Sequence, residues 1–199
     1  MALALEARAM KEDILVGDSP KARARRGRLS GLETRGRLWK HATLADLDGL
    51  IPPEAAAGLF TFAMVRNPWD RAVSYYHWLR QQRFDHPAVG LASALGFSEF
   101  LHHDHTKASL RQWPYGRYLQ TPDGTERCSL WLRLEHLDAD IAPLEAHLGF
   151  RLLPLPKANA SARRSDYRSY FTDADAALIA ELCAPDITRF GYRFSPPVE

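Results

Sequence analysis

"TFAMVRNPWDRAVSYYHWLR", residues 61–80, is the stretch that decides how the chain is read. A short apolar run stops at Arg66, an Asn-Pro pair follows, and a long segment with helical spacing comes next. "GLFTFAMV" (58–65) has the length, aromatic content and flanking turn residues of a buried strand. A helix is predicted from 67 to about 83, with Asn67 as N-cap and Pro68 in its first position. Asp70 falls at the third position, where a carboxylate complements the helix dipole. A guanidinium at this junction sits where open α/β sheets bind ligands, beyond the carboxyl ends of the strands. The helix start adds unpaired N–H groups and a positive dipole end. Arg66 therefore marks a candidate anion site, with a fork suited to phosphate and with the Ser74 hydroxyl on the following helix. The competing reading is a structural ion pair of Arg66 with Asp70 or Asp46.

Outward from this junction, helical and strand patterns alternate. "MALALEARAM" is rich in helix formers and reads as a helix without an N-cap. Residues 17–37 combine Gly, Pro and the basic cluster Lys21, Arg23, Arg25, Arg26 and Arg28, and read as a mobile loop. Thr43 is placed to cap a short helix closed by Gly49 and Pro52. Residues 87–104 are predicted to hold a helix, "GFSEFLHH", and "CSLWLRLEHL" (128–137) a second strand. A helix follows in "DADIAPLEAHLGF", and another, capped by Thr172, closes the chain with a short turn around Asp186. Two to four strands among helices argue for an α/β layer with a parallel sheet.

The 199 residues fit one domain spanning 1–199, and 46% hydrophobic with 25% charged residues is ordinary for a globular chain. The net charge of +2 conceals the local basic cluster, which suits an anionic partner or a solvated loop. The two cysteines, Cys128 and Cys183, have neither disulfide-scaffold nor zinc-site spacing. No apolar run is long enough to cross a bilayer, so no transmembrane segment is expected. The N-terminus lacks the basic start and unbroken apolar run of a signal peptide, and a cytoplasmic location is the default expectation. His102, His103 and His105 point in different directions on a helix, so no metal site is expected there. Glu135 and His136, neighbours on a strand, face opposite sides and make a poor acid/base pair.

The segment 60–76 resembles the 3′-phosphate-binding motif of sulfotransferases that use 3′-phosphoadenosine 5′-phosphosulfate (PAPS). It is most similar to their carbohydrate-type and bacterial branch. That motif is a strand followed by Val-Arg-Asn/Asp-Pro, an aromatic, Asp/Glu-Arg and then Ser, matched by Val65, Arg66, Asn67, Pro68, Trp69, Asp70, Arg71 and Ser74. "LWLRLEHLDADIAPLEAHLGF" and the C-terminal segment ending "DITRFGYRF" also resemble the family. The resemblance implies a P-loop-NTPase-like parallel sheet flanked by helices. It implies PAPS as sulfuryl donor, no metal, and a carbohydrate or other small-molecule hydroxyl as acceptor. Arg66 and Ser74 would bind the 3′-phosphate, and Lys157 with Arg163 or Arg164 would lie in a loop over the nucleotide. His41, in "RLWKHATL", would be the general base, kept neutral by Lys40 beside it.

The family also holds the 5′-phosphosulfate in a loop close to Pro-Lys-(Thr/Cys)-(Gly/Ala)-Gly/Ser-Thr-Ser, following its first strand. No such segment occurs here, and "VGDSPKA" follows a helix instead. The expectation is a fold missing its first strand, through a start assigned downstream or through degeneration to an inactive relative. Two other readings stand beside it. A nucleotide-dependent phosphotransferase would need a Walker lysine, which is missing. A nucleic-acid-binding protein built on the 21–37 loop would show steeply salt-dependent affinity. The sulfotransferase reading expects no nucleic-acid partner and leaves the oligomeric state open.

Overall fold

The computed structural model describes residues 1–156 and 163–195. In chain order the elements are α1 (Ala2–Arg8), α2 (Pro20–Ala24), α3 (Pro53–Gly58), β1 (Phe62–Val65), α4 (Pro68–Leu79), α5 (Pro87–Ala94), α6 (Phe97–His102) and α7 (Asp104–Gln112). There follow β2 (Leu130–Arg133), α8 (Leu137–Asp140), α9 (Ala142–Leu148), α10 (Asp173–Leu182) and α11 (Ala184–Phe190). Two compact units result, each built from two stretches of chain: Met1–Val65 with Tyr115–Lys157, and Arg66–Pro114 with Ala158–Glu199.

The first unit holds the sheet. β1 and β2 pair in parallel, Phe62 opposite Leu130 and Val65 opposite Arg133. Both strands are shorter than their apolar runs suggest. Gly58 ends α3, and Thr61 is already tied to the partner segment through its hydroxyl bond to the Arg127 carbonyl, 2.6 Å. At the other strand the backbone turns into a 3₁₀ segment at Leu134–His136, so Glu135 and His136 lie on a turn rather than on a strand. Arg133 locks that turn. Its Nε and Nη2 donate to the two Asp140 oxygens at 2.9 and 2.8 Å, and its backbone N–H donates to the same carboxylate. Leu132, Ile141, Leu144 and Leu152 form the core, with Met1 and Leu5 of the N-terminal segment packed on it. Leu3, by contrast, is exposed.

The basic stretch 17–37 differs from the expected mobile loop. Ser19 Oγ accepts from the Ala22 N–H at 3.0 Å and caps α2, and a 3₁₀ turn follows at Arg26–Leu29. Three of its cations serve the chain itself. Lys21 donates to the carbonyls of Glu6 and Ala9, Arg25 to that of Met10, and Arg28 to that of Lys11. Lys21 thereby serves the C-terminal end of α1, where a cation suits the dipole, while Arg25 and Arg28 hold the carbonyls of the turn beyond it. Further along, Thr43 and Asp46 form the expected cap as a reciprocal capping box, on a 3₁₀ turn at Leu44–Leu47. Gly36 lies against it, and a side-chain carbon there would overlap the Asp46 carboxylate.

The second unit is helical. On α4, Trp69, Ala72, Val73, Tyr76 and Leu79 are buried, the spacing of one helical face. Trp69, Ala72, Tyr76 and Leu79 meet Phe100, Leu101, Ile179 and Leu182 in a second core. The helix expected in "GFSEFLHH" is present as α6, with α5 before it and α7 directly after it. His86 and His103 each accept a backbone N–H on Nδ1 as N-caps, and Gly96 opens α6 with Glu99 folding back on it. The Thr172 cap is present, paired with Asp175 in a capping box. The fully buried Asp175 also accepts from Ser98 Oγ at 2.7 Å and bonds His102 Nε2 at 3.0 Å. Hydrogen bonds offset its burial and hold its pKa below the usual carboxylate value.

Candidate anion site

Arg66 and Asn67 link the end of β1 to α4. Asn67 caps the helix, its Oδ1 accepting from the Trp69 N–H at 3.0 Å. Its Nδ2 donates to the Tyr167 hydroxyl and to the Arg193 carbonyl, which brings the C-terminal segment to the head of α4. Arg66 donates through Nε, 2.6 Å, and Nη2, 2.5 Å, to one oxygen of Asp70. Arg163 reaches the other Asp70 oxygen through Nη1 at 2.7 Å. The three side chains are only 15–25% exposed. Two guanidinium groups thus share one carboxylate at the first turn of a helix. The structural ion pair of Arg66 with Asp70 is present, whereas Asp46 is committed to the Thr43 capping box.

Asp70, Ser74 and His77 follow one another at helical spacing along the face of α4 opposite to its core residues. Ser74 is half-buried. His77 stacks edge-on against Tyr170, 5.2 Å between ring centres, and its inaccessible Nε2 has no hydrogen-bond partner among the described residues. Burial, then the charges of Arg80 and Arg163, hold its pKa below the usual imidazole value. Arg164 lies over the Tyr170 ring at 5.3 Å and donates its backbone N–H to the Tyr170 hydroxyl. Comparison with protein-family models, curated proteins and solved structures gives no match.

The structure therefore brings Arg66, Ser74, Arg163 and Arg164 into one unit. Lys157 lies outside the described residues. His41 belongs to the other unit, where its ring meets Trp39 edge-on at 4.8 Å. Partial burial and the neighbouring Lys40 lower its pKa, with Asp18 opposing. Its unprotonated form is favoured near neutral pH, as a general base requires. Lys40 itself is paired with Asp18 at 3.0 Å. The bridging role of Asp70 and the presence of His77 are not legible in the sequence motif. The sequence marks Asp70 as a motif position, a dipole partner and a possible partner of Arg66, but not as a bridge between two arginines. His77 was not singled out, although Asp70, Ser74 and His77 have the spacing of a single helix face.

Proposed function

We propose that this chain is a PAPS-dependent sulfotransferase with a P-loop-like α/β arrangement, and that the Arg66–Asp70–Arg163 cluster takes the 3′-phosphate of the nucleotide. The observation that carries the reading is the convergence of two arginines on Asp70 at the start of α4, with Ser74 on the same face. Asp70 would fix the direction of both forks. Each guanidinium has five N–H donors, more than one carboxylate can occupy. Arg164 would flank the nucleotide from the same segment as Arg163.

In the transfer step, His41 accepts the proton of an acceptor hydroxyl, whose oxygen attacks sulfur in line. The bond from sulfur to the 5′-phosphate oxygen breaks, and 3′-phosphoadenosine 5′-phosphate leaves. Such a base typically contributes about 10²–10⁴-fold. The acceptor is a carbohydrate or small-molecule hydroxyl, and the step needs no metal.

Calorimetry with 3′-phosphoadenosine 5′-phosphate tests the reading. The wild-type chain is expected to bind it, and Arg66→Ala to lose at least about tenfold in affinity, the scale of one charge-assisted contact. No binding by the folded wild type, or equal binding by Arg66→Ala, overturns it. Adenosine 5′-triphosphate binding as strongly would favour a phosphotransferase instead.

A further inference from the structure

The first unit contains a cleft of about 700 Å³ that the 3′-phosphate reading does not use. That volume suits a ligand of drug or nucleotide size. Arg26, Arg37 and Lys40 line it, against a single carboxylate, Asp18. Lys40 and Arg26 both converge on that carboxylate, at 3.0 and 3.4 Å, and the Lys40 contacts hold the Asp18 pKa low. Three cations against one carboxylate leave the lining positive.

The lining also presents an aromatic surface. Trp39 is 42% exposed, one of the large apolar side chains this chain leaves in solvent. The Arg37 guanidinium lies over the indole ring at 5.6 Å, and Leu29 adds apolar surface to the same cleft. A guanidinium stacked on an aromatic face keeps its N–H edge directed outward. His41 meets the same indole edge-on at 4.8 Å, so the anion-binding edge lies beside the part of the ring that stays exposed.

We infer that this cleft binds an organic anion carrying a flat ring, of the class of sulfate or phosphate monoesters of aryl alcohols and nucleosides. The ring stacks on Trp39, and the anionic group takes Arg37 with Lys40 or Arg26. Neither half suffices alone: a bare anion gains no stacking, and a neutral ring gains nothing from the positive charge of the lining. The inference is independent of the 3′-phosphate cluster, whose residues belong to the other unit, although the cleft adjoins His41, whose ring meets Trp39 edge-on.

Calorimetric titration of the full chain in an Arg66→Ala background separates the two. The probes are 4-nitrophenyl sulfate, adenosine 5′-monophosphate, inorganic sulfate and neutral 4-nitrophenyl glucoside. At least one ring-bearing anion is expected to bind about tenfold or more tightly than both sulfate and the glucoside. Arg37→Ala and Trp39→Ala are each expected to weaken that binding by about tenfold, with Trp39→Phe restoring most of it. Thermal unfolding of each variant establishes that the folded chain is compared. Equal affinity for the glucoside, equal affinity for bare sulfate, or binding unaffected by both substitutions overturns the inference. So does the absence of binding by both ring-bearing anions, or binding that Arg66→Ala alone abolishes.

Discussion

Asp70 is the residue on which the anion site turns, because it both positions and competes. Its two oxygens fix Arg66 and Arg163, and those same forks would have to serve a bound phosphate. Asp70→Asn keeps the shape and removes the charge, leaving two partly buried guanidinium groups facing each other. In buffer free of multivalent anions it is expected to cost about 1–3 kcal/mol, between the cost of an exposed pair and that of a buried one. Sulfate should restore much of that loss by binding the two guanidinium groups beside the amide. Thermal unfolding with and without sulfate measures this. A variant whose midpoint ignores sulfate would show that the arginines do not form an anion site. Arg66 itself was legible from its place between an apolar run and an Asn-Pro pair. Arg163 as its companion was not, since the two meet through a residue more than ninety positions away in sequence.

At the scale of elements, the local signals transferred well and the distant ones did not. Asn67, Thr43 and Thr172 cap where their residue types and following acidic residues place them, because a cap is made within three residues. The basic stretch was opaque for the opposite reason. Lys21, Arg25 and Arg28 reach carbonyls fifteen to seventeen residues back, which no local pattern encodes. The Arg133–Asp140 clamp between β2 and α8 shows how such a contact becomes a measurable property. The fork holds the Asp140 pKa down to about 2. A carboxyl with a depressed pKa in the folded state adds stability that is complete above its unfolded value, about 3.9. Below that, the unfolded chain takes up the proton first, and the contribution falls away until the folded value is reached. The urea midpoint is therefore expected to drop between about pH 4 and pH 2. Asp140→Asn should flatten part of that slope while lowering the midpoint at neutral pH. An unchanged slope would mean that the clamp does not couple to folding.

Across the whole molecule, two cores draw on early and late stretches of chain, so the pattern of apolar residues names the faces but not their partners. The spacing of Trp69, Ala72, Val73 and Tyr76 announces a buried face on α4. Nothing in it specifies Ile179 and Leu182 as the other side. The same holds for β1 and β2, whose apolar runs mark strands but whose pairing spans more than sixty residues of intervening helix and loop. A parallel pair of two short strands gains little from its ladder alone, so its stability must come from the side chains beneath it. Leu132 is the test of that statement, being fully buried at the centre of β2 within the Ile141, Leu144 and Leu152 core. Leu132→Ala is expected to cost about 2–5 kcal/mol, the cost of the lost methyl groups plus the cavity they leave. Hydrogen exchange should locate the loss at the amides of residues 62–65 and 130–133, which the core supports. Urea unfolding should register it as a lower midpoint. A cost below about 1 kcal/mol would mean that the site relaxes around the missing side chain. Retained protection at those amides would mean that the sheet is held by its backbone bonds and the Arg133 clamp rather than by its core.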